Sequence, residues 1–224
     1  MIVGEQKDLN EIIDMLGDDF DSLLIAGCGT CVTVSMAGGE KEVEALAEIL
    51  NMHYKNIGRD VKIETATVKR QCDFEFLDEL EEQVKRNDLT LSLACGVGVQ
   101  QLVERYPDKI FLPGLNTTFY GATTDTGEWS ERCIGCGNCV LDQYFGICPI
   151  ARCSKSLLNG PCGGSQDGKC EVDPEIDCVW ELIYNRAKKL GKLDELTKLE
   201  PPKDWSTYRD GGPRKLINEE VYND

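Results

Sequence analysis

DSLLIAGCGTC, residues 21–31, decides the fold of the first half of the chain. Asp21–Ala26 is a short apolar run, and Gly27-Cys28-Gly29-Thr30-Cys31 ends it, so it reads as a strand closing in a turn. Downstream, from about Gly39, Val43, Leu46, Ala47, Leu50 and Tyr54 recur at the spacing of one helix face. Val61–Val68 (VKIETATV) alternates and is β-branched, which predicts a second strand. A helix carrying Phe76, Leu77, Leu80 and Val84 follows. Leu89–Ala94 is then a third strand, the helix of Val99, Leu102, Val103 and Tyr106 comes next, and Lys109–Leu112 is a fourth strand. Upstream, residues 5–16 (EQKDLNEIIDML) read as an amphipathic lead-in helix. Alternation of this kind predicts an α/β domain over 1–120, Rossmann/flavodoxin-like, with a parallel sheet and helices on both faces.

That register has a chemical consequence. Cys28 and Cys31 follow the first strand, Cys72 the second and Cys95 the third. All four are expected beyond the carboxyl ends of parallel strands, the edge at which open α/β sheets bind ligands. Free cysteine is also a common small core residue. Four thiols at one edge nevertheless make a candidate third metal site. A dinucleotide loop is a poor match, because Val32 stands where the last glycine of G-x-G-x-x-G would fall.

Asn116–Ser130 turns polar and Gly/Thr-rich, which reads as a linker or surface loop. A cysteine-rich module, taken as 121–200, follows, and 201–224 is expected to be a partner-docking tail bearing Trp205, Tyr208 and Tyr222. Cys133, Cys136 and Cys139 form a C-x2-C-x2-C run, and Cys148-Pro149 comes after a loop of eight residues. Close thiols followed by a later Cys-Pro are the pattern of ferredoxin [4Fe–4S] ligation. Cys153, Cys162, Cys170 and Cys178 supply a second quartet. An exchange of Cys148 with Cys178 between the two sets is open, because in two-cluster ferredoxins the Cys before Pro ligates the other cluster. Structural zinc is the alternative at one site, since thiolate quartets bind it tetrahedrally. A disulfide framework suits small secreted chains; the N-terminus MIVGEQKDLN has neither a basic nor an apolar signal region. The expectation is therefore a cytoplasmic protein.

Composition narrows the partners. Twenty-four basic against 40 acidic residues give a net charge of −16, which repels nucleic-acid backbones and anionic lipid. No apolar run reaches the length of a membrane span. A single histidine, His53, leaves little scope for acid–base catalysis. Val179, Leu182, Ile183 and Leu190 predict a helix over Cys178–Leu190, with Trp180 as core.

The segment GPCGGSQDGKCEVD, Gly160–Asp173, within LNGPCGG and onward, resembles the methylenetetrahydrofolate reductase C-terminal (MetV-like) module. Cys28–Val43 (CGTC…AGGEKEV) is similar to the same subunit, although Ser35 stands near where many relatives have a further cysteine. The resemblance implies an accessory iron–sulfur subunit that is not catalytic alone. It implies two [4Fe–4S] clusters with a third as a candidate, and FAD or FMN only in the partner. The implied partners are a flavin-containing methylenetetrahydrofolate reductase catalytic subunit and ferredoxin or an NADH-oxidising subunit. Modules of this kind are also labelled zinc-binding.

Overall fold

The computed structural model describes residues 1–218 and divides into two compact units, Met1–Ser130 and Glu131–Asp224. Tyr222 lies outside the described residues.

The first unit runs β1 (Ile2–Gln6), α1 (Leu9–Leu16), β2 (Ser22–Cys28), a short α2 (Cys31–Val34), α3 (Glu40–Asn56) and β3 (Lys62–Val68). It continues with α4 (Phe74–Leu77), α5 (Glu81–Arg86), β4 (Leu89–Leu93), α6 (Gly96–Arg105), β5 (Ile110–Pro113), β6 (Leu115–Asp125) and β7 (Glu128–Cys133). The four expected strands form one parallel sheet in the order β3-β2-β4-β5. β2 lies inside it, which explains its unbroken apolar run: both faces are covered. Leu23 and Ile25 point to one face, with Ile12 and Leu16 of α1 and Val43, Leu46 and Leu50 of α3. Leu24 and Ala26 point to the other, with Leu77, Val84 and Leu102. Leu23, Leu24 and Ile25 are wholly buried, and each such side chain contributes roughly 1.5–3 kcal/mol of transfer free energy.

Three local expectations are corrected. The lead-in helix starts only at Leu9, because Ile2–Gln6 is a strand, β1, antiparallel to β6 with Ile2 opposite Tyr120 and Gln6 opposite Leu115. The stretch expected as a linker or surface loop is instead nearly all of β6 and the first half of β7, strands of a separate three-stranded sheet in the order β1-β6-β7. Its threonines and aromatics favour extended backbone, and Gly127 at φ +76° turns the chain between the two strands. The helix expected through Phe76–Val84 is broken by a tighter 3-10 turn at Asp78–Leu80.

The second unit carries little regular structure: α7 (Pro149–Arg152), α8 (Val179–Lys189) and two 3-10 turns. Its core is Tyr144, Val179, Trp180 and Ile183, with Trp180 buried as expected. Tyr144 meets the Trp180 ring edge-on at 5.6 Å. The polar ends of both rings are satisfied, Trp180 Nε1 donating to Leu157 O and Tyr144 OH to Leu158 O, each at 3.0 Å. No helix among the described residues is long and apolar enough to cross a membrane.

Candidate metal centres

In the parallel sheet Gly27 is level with Thr67 and Leu93, and Cys28 with Val68. Cys28 is therefore the last residue of β2, Cys95 stands two residues past the end of β4, and Cys72 four past the end of β3. Cys95 is the N-cap of α6, and Cys31 opens α2. Cys28 ends its strand, and the other three lie beyond the strand carboxyl ends. Burial pushes the Cys72 thiol up, and the neighbouring Cys28 and Cys95 push it further in the same direction. The three thiols are thus near enough to influence one another, and a cation beside them would favour the thiolate form.

Tight backbone contacts hold this edge. Cys28 N–H donates to Gly38 O at 2.9 Å, and Gly29 N–H to Val68 O at 2.8 Å. The Thr33 hydroxyl donates to Cys28 O at 2.7 Å. A Cβ on Gly38 would run into the carbonyl oxygen of Leu93, so only glycine permits that approach. Gln71, next to Cys72, is fully buried and donates to Ala26 O and Gly27 O, both at 2.9 Å, while it accepts Ser92 Oγ at 2.6 Å. The sequence reading passed over Gln71; only its position beside Cys72 could have marked it.

In the second unit, Cys153, Cys162, Cys170 and Cys178 all line one small cavity of about 20 Å³, together with Arg152, Lys155 and Trp180. Four segments bring them there. Cys153 ends α7, with its N–H on Pro149 O at 3.2 Å. Cys162 sits in the LNGPCGG turn, beside Gly163 at φ +81°. Cys170 is pinned by its N–H to Ile176 O at 2.8 Å, and Cys178, the N-cap of α8, by its N–H to Gly168 O at 2.7 Å. The Ser154 hydroxyl lies 3.5 Å from Cys170 Sγ. That contact, with backbone donors of Val172 and Asp173 and the charge of Lys155, holds the Cys170 thiol below its usual range. Burial lowers the Arg152 guanidinium, and Arg132 adds to the effect. Neither Ser154 nor Arg152 announced itself in the sequence except by standing next to Cys153.

The C-x2-C-x2-C loop leaves the end of β7 at Cys133 and turns at Gly135 and Gly137, with φ +66° and +81°. Gly135 N–H points at Cys133 Sγ, 3.3 Å away, and Cys136 Sγ at Asn138 O, 3.5 Å away. Cys133 and Cys139 are exposed. Cys148 opens α7 and accepts Ala151 N–H on its sulfur at 3.4 Å.

All twelve cysteines are free thiols. Among the described residues, no three His, Cys, Asp or Glu side chains stand close enough together to ligate a metal without moving. Cys153, Cys162, Cys170 and Cys178 share a cavity, and Cys28, Cys72 and Cys95 share an electrostatic environment. Cys133, Cys136, Cys139 and Cys148 are not gathered into one site. The donor chemistry fits a thiolate-bound metal: soft sulfur ligands on glycine-rich loops, with cations and N–H donors beside them.

Residues 112–206 match the family model described as methylene-tetrahydrofolate reductase C terminal, a span from β5 through every cysteine of the second unit into the tail. No curated protein and no solved structure matches the chain.

Proposed function

We propose that the chain, whose residues 112–206 match the model of the methylene-tetrahydrofolate reductase C-terminal family, is the iron–sulfur electron-transfer subunit of a methylenetetrahydrofolate reductase complex. The observation that carries this reading is the single cavity shared by Cys153, Cys162, Cys170 and Cys178. Those four would hold one [4Fe–4S] cluster, Cys133, Cys136, Cys139 and Cys148 a second, and Cys28, Cys31, Cys72 and Cys95 a third. Such clusters, when bound, supply one-electron steps between an external carrier and the flavin of a catalytic partner, which reduces methylene-tetrahydrofolate to its methyl form.

The chain's own residues then set binding and electrostatics. Lys155 and Arg152 stand by the shared cavity, and cations at that place favour the reduced, more negative state of a thiolate-bound centre. Ser154 places its hydroxyl at Cys170 Sγ, as hydrogen bonds to sulfur do when they raise a potential. Trp180, itself buried, lines the same cavity.

The same four thiols also fit a second reading, a single structural zinc held tetrahedrally by a thiolate quartet. Anaerobic iron, sulfide and zinc analysis of the purified chain separates the two. About four irons and four sulfides per quartet support electron transfer, by the stoichiometry of a cubane. One zinc with no iron there would reassign the quartet to a structural role, and zinc in place of iron at every quartet would sink the electron-transfer reading.

A further inference from the structure

The tail bears on the C-x2-C-x2-C loop in a way that nothing in its own composition announces. Three donors from residues 203–214 reach three carbonyls of that loop. Lys203 Nζ donates to Asn138 O at 2.6 Å, Thr207 Oγ1 to Cys136 O at 3.0 Å, and Arg214 Nη1 to Gly135 O at 3.0 Å. Arg214 Nη1 also donates to Thr207 O at 2.7 Å, which ties the tail segment to itself. The segment is stiffened by rings: Trp205 meets Tyr208 at 5.9 Å, Lys203 Nζ stands 5.6 Å over Trp205, and the Arg214 guanidinium 6.0 Å over Tyr208. On the loop side, Gly137 gives the clearance, because a Cβ there would collide with Thr207 O.

Peptide geometry turns these contacts into a directional effect. No peptide bond here is cis, and in a trans peptide the C=O and the N–H point in opposite directions. Holding the carbonyls of Gly135, Cys136 and Asn138 toward the tail therefore directs the N–H groups of Cys136, Gly137 and Cys139 away from it. We infer that residues 203–214 are a positioning strap, which presets the Cys133–Cys139 loop so that its amide donors converge on the thiolate-bound group it holds. This rests on the metal-binding reading of that loop. The strap's residues touch no reacting atom; they act through the loop's carbonyls. Lys203 and Arg214 bring two positive charges to the same loop, where bound thiolates concentrate negative charge.

The test uses the full chain in two states. In the metal-free chain, brief trypsin treatment reads the strap through cleavage after Arg209, which Thr207→Val and Gly137→Ala leave intact as a site. Each variant is expected to be cut roughly five- to tenfold faster, the effect of losing about one net hydrogen bond. Leu216→Ala, at a side chain 97% exposed, should be cut at the wild-type rate. In the reconstituted chain, Thr207→Val and Arg214→Gln are expected to lose iron to a chelator severalfold faster, with Arg214→Lys recovering most of the difference. Wild-type cleavage rates in both Thr207→Val and Gly137→Ala would overturn the strap, whatever metal is bound. Faster cleavage in a chain that takes up no iron would keep the strap and reject the iron reading of the loop.

Discussion

The carboxamide oxygen of Gln71 accepts the Ser92 hydroxyl at 2.6 Å, and both residues are wholly buried. Through its nitrogen Gln71 also donates to Ala26 O and Gly27 O near the end of β2, so one side chain ties β2 and β4 to the loop that follows β3. Replacing Gln71 by Leu leaves buried polar groups unpaired. The expected loss is about 2–4 kcal/mol, on the scale of such penalties. Urea unfolding should show a lower midpoint at an unchanged slope. A shift below about 0.5 kcal/mol would mean that the network is dispensable.

Gly38→Ala drives a Cβ into the carbonyl oxygen of Leu93 and to 2.9 Å of its carbonyl carbon. Backbone cannot swing aside as a side chain can, so the cost should exceed about 2 kcal/mol. Gly96→Ala meets only Thr117 Oγ1, at 3.6 Å, and serves as the tolerant comparison. Thermal melts of the pair should separate by many degrees; equal melts would contradict the packing described.

Acid stability should depend on Asp88. Its carboxylate accepts Asp21 N–H, Ser22 N–H and the Ser22 hydroxyl at 2.8–3.0 Å, which holds its pKa below the ordinary 3.8. A depressed carboxylate adds stability above the unfolded value, and that stability drains away as pH falls from 3.8 through the folded value. Asp88→Asn should therefore lose stability at neutral pH and show a shallower decline on acidification. The same acid slope in wild type and variant would refute the assignment.

Tyr144 provides a spectroscopic check on the second unit. Burial pushes its phenol up to about 12, and the Glu200 carboxylate adds to the shift. Burial also raises Tyr54 and Tyr106, so in an ultraviolet titration of the folded chain the last tyrosine to ionise should be the one lost in Tyr144→Phe. The variant should also lose about 1 kcal/mol with the bond to Leu158 O.

Single Cys→Ser variants should fall into sets by the metal they lose. Cys153, Cys162, Cys170 and Cys178 share a cavity, so each substitution should remove the same equivalent and leave the others in place. Cys28, Cys72 and Cys95 should behave as a separate set. Metal analysis of these seven variants, with Cys133→Ser for comparison, decides this, and a Cys178 variant that instead loses the metal of Cys133 would regroup the ligands.

The parallel sheet was legible because burial on both faces writes itself into sequence: LLIA in β2 needs no polar alternation. β1 was not, because its partner is more than a hundred residues away and IVGEQ alone resembles the start of a polar helix. The polarity of the threonines in Asn116–Thr124 points to a loop, but their β-branching, which favours extended backbone, is the stronger signal. At the sites, spacing located the thiols, and the sheet register placed Cys28 and Cys95. The bonds from Lys203, Thr207 and Arg214 left no trace, because they recognise backbone carbonyls that every sequence possesses.

The buried apolar side chains described in the second unit are Tyr144, Ile150, Val179, Trp180, Ile183 and Ala187, against a double-faced core in the first. So thin a core supplies little of the free energy that ordering such a unit requires, and small scaffolds of this kind rely on cross-links. On the proposed metal-binding reading, a thiolate-bound metal would supply that cross-link through the free cysteines. The lifetime of the polypeptide would then become a readout of metal supply. In a starved cell the second unit would loosen first and present protease-accessible chain while the α/β unit stayed folded, so scarcity would be answered by turnover of the subunit.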